Sequence, residues 1–283
     1  MNTFFSSAQL KIHRFLRYKF RLATSPLRAL PNFIIAGTEK GGTSLFFQTL
    51  GHHRQVRTSM IKEVSFFGKA DLEKPFRDRL CYARYFPLKY QLRQIAKRLD
   101  DRVITGEASP GYLYSTEAAQ RIKNMVPDVK IIVLLRDPID RAYSKYFHAQ
   151  RKGVETLSFA DAVRLEMTQR NFEVRDRVDR EERKRDYLGF GLYCEQLERY
   201  FKLFDRKQIH IVQSEFSLSN FSSVYGDILK FLDIQFDPSQ ILPRVPKKQY
   251  PKMDKKVFGE LKEFFSRPNK NLYDLLGVDF GWQ

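Results

Sequence analysis

The stretch Pro31-Asn32-Phe33-Ile34-Ile35-Ala36-Gly37, followed by Thr38-Glu39-Lys40-Gly41-Gly42-Thr43-Ser44 and then Leu45, Phe46, Phe47 and Leu50, decides the fold. A short apolar run bounded by Pro31 and Gly37 reads as a buried strand. The apolar residues after Ser44 read as a helix, with Gly51 as its C-terminal cap. The element is therefore strand, glycine-rich turn, helix. Backbone N–H groups at such a helix start can surround a phosphate, the helix dipole adds attraction, and Lys40 adds a full charge.

A second strand, Val129 to Leu135, runs into Arg136-Asp137-Pro138, with Asp137 as N-cap and Pro138 at the first helical position. Ile139, Ala142, Tyr143, Tyr146 and Phe147 then recur at helical spacing and mark one apolar face. Further strands are predicted over Gln208 to Gln213 and Arg102 to Glu107, with helices over Glu117 to Val126, Phe159 to Gln169, Leu192 to Phe204 and Val224 to Leu232. Strands alternating with helices predict an α/β fold with a parallel sheet. Ligands of such sheets bind outside the carboxyl ends of the strands. Arg136 stands at one such end, and Ser144 lies two turns into the next helix, so together they can grip a second phosphate.

The turn differs from the GxxxxGK[ST] loop of nucleotide triphosphatases, because Lys40 precedes Gly41-Gly42 and no apolar run ends in a magnesium-binding Asp. A phosphoryl-transfer enzyme with a divergent loop stays open on these residues. So does a non-catalytic protein that binds anions or membranes.

Composition narrows the class. The 283 residues are 42% hydrophobic and 14% aromatic, enough for a large core, which excludes a disordered or fibrous chain. Fifty Lys and Arg against 33 Asp and Glu give a net charge of +17, which favours an anionic partner. The basic residues are spread along the chain rather than gathered in a stripe among stacking aromatics, so nucleic acid is not expected. Two cysteines without CxxC spacing argue against a disulfide framework or zinc module and fit a cytoplasmic location. No run approaches the roughly 20 apolar residues of a spanning helix. Residues 1–30 contain no acid and interleave Lys11, Arg14, Arg17, Lys19 and Arg21 with Leu10, Ile12, Phe15, Leu16 and Phe20. They read as a basic arm or helix, either resting on an anionic membrane or packed across the domain formed by residues 31–283. Glu173 to Asp186 holds 12 charged residues of 14 and reads as a solvated surface segment or a lid.

GTEKGGTS after one strand and RDPIDRAYSKY after a later one resemble the sulfotransferases that use 3′-phosphoadenosine 5′-phosphosulfate (PAPS). Lys62-Glu63-Val64-Ser65-Phe66-Phe67, Glu107-Ala108-Ser109-Pro110-Gly111-Tyr112-Leu113 and the closing Phe264 to Trp282 are similar to segments of the heparan-sulfate type. The resemblance implies a single domain with a P-loop-like central parallel sheet flanked by helices. It implies PAPS as donor, adenosine 3′,5′-bisphosphate (PAP) as product, no metal, and a glycan, lipid or small-molecule acceptor. It also implies roles. Lys40, Gly41, Gly42, Thr43 and Ser44 would hold the 5′-phosphosulfate, with Lys40 also catalytic. Arg136 and Ser144 would hold the 3′-phosphate, Lys247 and Lys248 would belong to a basic cofactor loop, and Glu63 would be the general base. His52, His53 and His148 are rival bases. Ala108 stands where the heparan-sulfate type has Lys, and the paired cysteines of some relatives are missing. These departures, with no Golgi-type membrane anchor expected before the domain, argue against an animal glycosaminoglycan enzyme and for a soluble, bacterial-type relative.

Overall fold

A computed structural model describes residues 16, 18–68, 75–169, 185–242 and 250–282. Five strands form one parallel sheet: β1 (Phe33–Gly37), β2 (Val56–Thr58), β3 (Ile104–Ala108), β4 (Lys130–Leu135) and β5 (Ile209–Gln213), in the order β2-β3-β1-β4-β5. From β1 the chain goes to the edge strand β2, returns inward to β3 beside β1, then crosses over β1 to β4 and β5 on the other side. The carboxyl end of β1 is therefore the topological switch point where open α/β sheets bind ligands. The registers Ile35↔Ala108 and Ile35↔Ile132 place the ends of β3 and β4 beside it.

The strands are apolar on both faces because both are covered. Ile34, Ala36, Ile131, Val133 and Leu135 look into one core layer. Helices α4 (Ala118–Met125), α7 (Tyr193–Phe201) and the end of α10 (Lys255–Leu276) cover it. The alternate residues Phe33, Ile35, Ile132 and Leu134 look into the other layer, beneath α1 (Thr43–His52) and α9 (Phe221–Phe231). A third cluster packs α5 (Pro138–Arg151), α6 (Phe159–Gln169) and α10. Helices α2 (Pro75–Ala83) and α3 (Lys89–Leu99) lie before β3, and α8 (Ser214–Ser219) follows β5. Among the described residues no helix is long and apolar enough to cross a membrane.

The four predicted strands and the helices between them stand within a few residues of their expected bounds. Gly51 is a correction. It lies inside α1, which ends at His52 with His53 as its cap. A β-carbon on Gly51 would sit 3.2 Å from the Thr58 Cγ2, so Gly51 lets α1 approach the edge strand β2. Residues 18–23 are helical and tied to the domain: Arg21 Nε donates to the Arg84 carbonyl at 2.5 Å and Arg28 Nη1 to that of Phe86 at 2.8 Å. The arm up to residue 15, most of the charged run 173–186, and Lys247 and Lys248 lie outside the described residues.

Two glycines should respond oppositely to alanine. A β-carbon on Gly106 would lie 2.5 Å from the buried Phe33 ring, whereas at Gly259, in α10, nothing lies within 4 Å. Gly106→Ala is expected to destabilise by roughly 1–3 kcal/mol through overpacking. Gly259→Ala is expected to stabilise by about 0.5–1 kcal/mol through helix propensity. Urea unfolding midpoints check both.

Candidate active site

The turn after β1 is built to bring backbone close to backbone. Thr38 N donates to the Leu134 carbonyl at 2.8 Å, and Gly41 N donates to the Thr38 carbonyl at 3.0 Å. A β-carbon on Gly41 would meet that Leu134 oxygen at 2.6 Å, so no other residue fits there. Gly42 has φ +91° and Lys40 φ +66°, the left-handed region in which glycine alone is unstrained. Gly42 is the N-cap of α1, so the first N–H groups of the helix, beginning at Thr43 and Ser44, have no intrahelical acceptor. The result is an anion cradle of the kind the sequence predicts.

The second motif folds onto the first. Asp137 caps α5, its Oδ1 accepting from Ile139 N at 2.8 Å and Asp140 N at 3.1 Å. Arg136 Nη1 donates to the Lys40 carbonyl at 3.2 Å, and its Nη2 lies 3.4 Å from Asp140 Oδ2. Tyr193 OH anchors the Arg136 carbonyl at 2.8 Å. Asp140 and Ser144 are four residues apart on α5, so Arg136, Asp140 and Ser144 share a face. Ser144 Oγ is 3.2 Å from Tyr250 OH, and the Tyr250 ring stacks on Phe147 at 4.8 Å. Tyr250 directly follows the segment that carries Lys247 and Lys248, so that segment ends against the Ser144 helix.

Lys145 was not singled out by the sequence and belongs to the site. Its buried Nζ donates to Glu39 Oε2 at 2.9 Å and lies 3.8 Å from the Phe190 ring centroid, clamping α5 to the turn. Burial lowers the Lys145 ammonium from its ordinary value, against the opposing pull of Glu39. Lys40 is brought down to about 8, first by burial and then by Lys145, Lys152 and Arg151, with Glu39 working the other way. His148 falls to about 4, from burial and then the charges of Lys40, Lys152 and Arg151. The turn therefore looks onto a local excess of positive charge. The missed signal was spacing: Lys145 and His148 follow Arg141 at i+4 and i+7 on one helix.

On the other side of β1, Glu63 N donates to the Ala108 carbonyl at 2.9 Å, which fixes the Glu63 backbone at the end of β3. Its side chain is 56% exposed and paired with Lys62 Nζ at 2.6 Å. Glu63 has φ +60° and Ser65 φ +49°. Glu107, at the end of β3, is fully buried. Its carboxyl is pushed up to about 7 by burial, against hydrogen bonds from Ser109, Tyr82 and Tyr112 that lower it. Of the rival bases, His53 is buried with Nε2 3.0 Å from the Gln235 carbonyl and Nδ1 accepting from Gln55 N. His52 ends α1, about 13 Å along the axis from the cradle at 1.5 Å per residue.

The sulfotransferase domain matches residues 30–264, so the chain belongs to the sulfotransferase family. It is 27% identical to heparan sulfate glucosamine 3-O-sulfotransferase 6 of Homo sapiens, over 92% of this chain and 76% of that one. It is 25% identical to the membrane-associated sulfotransferase kil1 of Dictyostelium discoideum, over 91% of this chain and 67% of that one. It spans 65% and 63% of the human 3-O-sulfotransferases 3B1 and 3A1. A sulfotransferase from Alicyclobacillus acidocaldarius superposes with a TM-score of 0.67 at 28% identity, covering 89% of this chain and 98% of that one. The chain is thus an enzyme of sulfuryl transfer, and the phosphoryl-transfer reading is not favoured.

The desolvated lysine has a signature. Its folded value of about 8 lies below its ordinary 10.5. The desolvation cost is thus full below pH 8 and disappears as pH rises through the window from about 8 to 10.5. Lys40→Met, without ligand, should melt above the parent at pH 7, and the gap should close toward pH 10.5. Calorimetric melting temperatures across that range check this. A gap independent of pH would show Lys40 fully hydrated.

Proposed function

We propose that the chain transfers the sulfuryl group of PAPS to a hydroxyl or amine of a glycan, lipid or small acceptor. The observation that carries this reading is the convergence of a glycine cradle, Lys40 and Arg136 at the carboxyl ends of the adjacent central strands β1 and β4, held together by the Arg136–Lys40 contact. PAPS supplies a sulfuryl group activated on a 5′-phosphate and carries a separate 3′-phosphate. The cradle of Gly41, Gly42, Thr43 and Ser44 suits the first anion. Arg136 and Ser144 suit the second, with Lys247 and Lys248 proposed to close over the nucleotide.

Glu63 takes the proton from the acceptor oxygen as that oxygen bonds to sulfur. The bond from sulfur to the phosphate oxygen breaks, and Lys40 with the α1 amides meets the charge that develops on the leaving PAP. Lys145 and Glu39 keep the turn in place during the step. The acceptor is a glycan hydroxyl by analogy with the 3-O-sulfotransferase relatives. We assign the reaction to the cytoplasm, with the basic residues up to position 30 as a peripheral membrane contact. Leu16, Phe20 and Leu27 are exposed there, and one relative is membrane-associated by name. The test is transfer of labelled sulfate from PAPS to a panel of heparan sulfate, other glycans, lipids and amines. Transfer to none of them, with PAP bound, would leave a binding protein.

Truncating Arg136 to Ala should weaken PAP about ten- to a hundredfold, the worth of a charged hydrogen bond of roughly 1.5–3 kcal/mol. Adenosine 5′-phosphosulfate, which lacks the 3′-phosphate, should bind nearly as before. Equal losses by calorimetry would instead make Arg136 a prop for the Lys40 turn.

Glu63→Gln keeps the shape but cannot take the proton. Turnover should fall about 10²–10⁴-fold, the usual contribution of a general base. PAP affinity should stay within a few-fold. Near-full activity would move the base elsewhere, and His148 would be next.

A further inference from the structure

The loop that presents Glu63 is held by two side-chain hydroxyls. Ser65 N donates to Ser109 Oγ at 2.9 Å. Phe66 N donates to Tyr112 OH at 2.7 Å, and Phe67 N reaches the same oxygen at 3.4 Å. Each hydroxyl in turn donates to one buried carboxylate: Ser109 Oγ to Glu107 Oε2 at 2.6 Å and Tyr112 OH to Glu107 Oε1 at 3.2 Å. A hydroxyl has one proton. By taking both protons, the carboxylate turns the lone pairs of both oxygens toward the loop amides. A third hydroxyl, that of Tyr82, also donates to Glu107 Oε1, at 2.5 Å, but no loop amide is bonded to it.

We propose that Glu107 is a positioning residue that, through Ser109 and Tyr112, sets the loop 63–67 and so the aim of Glu63 at the acceptor. The left-handed conformations at Glu63 and Ser65 are the part that needs holding, because a non-glycine residue does not rest there without local support. The support comes from within the fold: Glu63 and Ser65 are exposed, but Val64, Phe66 and Phe67 between and after them are buried, and Glu107 and Ser109 are 0% and 1% exposed. The burial that pushes the Glu107 carboxyl up toward 7 is the cost of keeping an acceptor where it can polarise both hydroxyls. The side-chain bonds of this cluster run to the loop 65–67 and not to the glycine turn, so the relay is expected to act on the acceptor side. The inference rests on Glu63 being the base.

The experiment compares Tyr112→Phe, Ser109→Ala and Tyr82→Phe with the parent. Each of the two Phe variants removes one hydroxyl bonded to Glu107 and keeps the ring, so a merely structural role for the cluster affects them alike. Two readouts are taken: hydrogen–deuterium exchange of the amides at 65–67, and kcat with PAP affinity, using PAPS and the fastest acceptor of the panel. Tyr112→Phe and Ser109→Ala are expected to speed exchange at 65–67 about tenfold or more, the effect of losing one hydrogen bond. They are expected to lower kcat by a similar factor while PAP affinity stays within threefold. Tyr82→Phe should leave both exchange and kcat near the parent. Equal effects of the two Phe variants, or unchanged exchange in Tyr112→Phe, would overturn the relay. Full activity in Glu63→Gln would overturn the base instead, and the exchange readout separates the two failures.

Discussion

The carbonyl of Leu134 sets where everything else in the site can stand. It accepts the Thr38 amide at 2.8 Å and leaves no room for a side chain at Gly41. The turn after β1 is thereby pressed against the end of β4. Arg136, two residues further along the same strand end, donates to the Lys40 carbonyl, and Ser214, just past β5, donates to the Gly41 carbonyl at 3.0 Å. Three parallel strands thus converge on one short turn. Such convergence aims the start of α1 at the crevice where the strand order reverses.

Fixing the turn also fixes a charge problem. Around Lys40 stand Lys145, Arg151 and Lys152, with Glu39 as the acid that offsets them. A buried pair such as Lys145–Glu39 is rarely a net source of stability, because desolvation consumes most of the attraction. Its worth here is orientation, tying α5 to the turn. Burial first, and then the unneutralised remainder, lowers both Lys40 and His148 from their ordinary values. An anion held against the first α1 amides would offset that surplus. The overall charge of +17 says little about this; the local surplus does.

The glycine turn and the Arg136 strand end were legible in the sequence because each is a contiguous motif. Glycines, Lys40, Asp137, Pro138 and Arg136 all act within a few residues of a strand end, and strand ends show as apolar runs. The edge strand β2 was not legible: it has three residues, and only Val56 is buried in it. Helix α10 was hidden by Pro268 in its interior, which reads as a break, yet 22 residues continue through it. Gly51 was misread because a glycine near a helix end suggests a cap, while its actual reason, the 3.2 Å approach of Thr58, is tertiary. The Lys145–Glu39 pair spans 106 residues and leaves no local pattern.

The two sides of the site are made by different means. The glycine turn is held by backbone, through the Leu134 carbonyl, and by the side chains of Arg136 and Ser214 on its own carbonyls. The Glu63 loop is backbone held partly by backbone, through the Ala108 carbonyl, and partly by the hydroxyls of Ser109 and Tyr112. Ala108 stands where the heparan-sulfate type has a lysine, and here its side chain is fully buried in the core layer beneath α1. A carbonyl serves Glu63 equally well whatever side chain it follows. The side chain at 108 can therefore differ without moving the Glu63 backbone. The Glu63 loop is thus held by a main-chain carbonyl and by hydroxyls that also bond Glu107, an anchorage that does not involve the exposed side chain of Ile61 or that of Lys62 beside it.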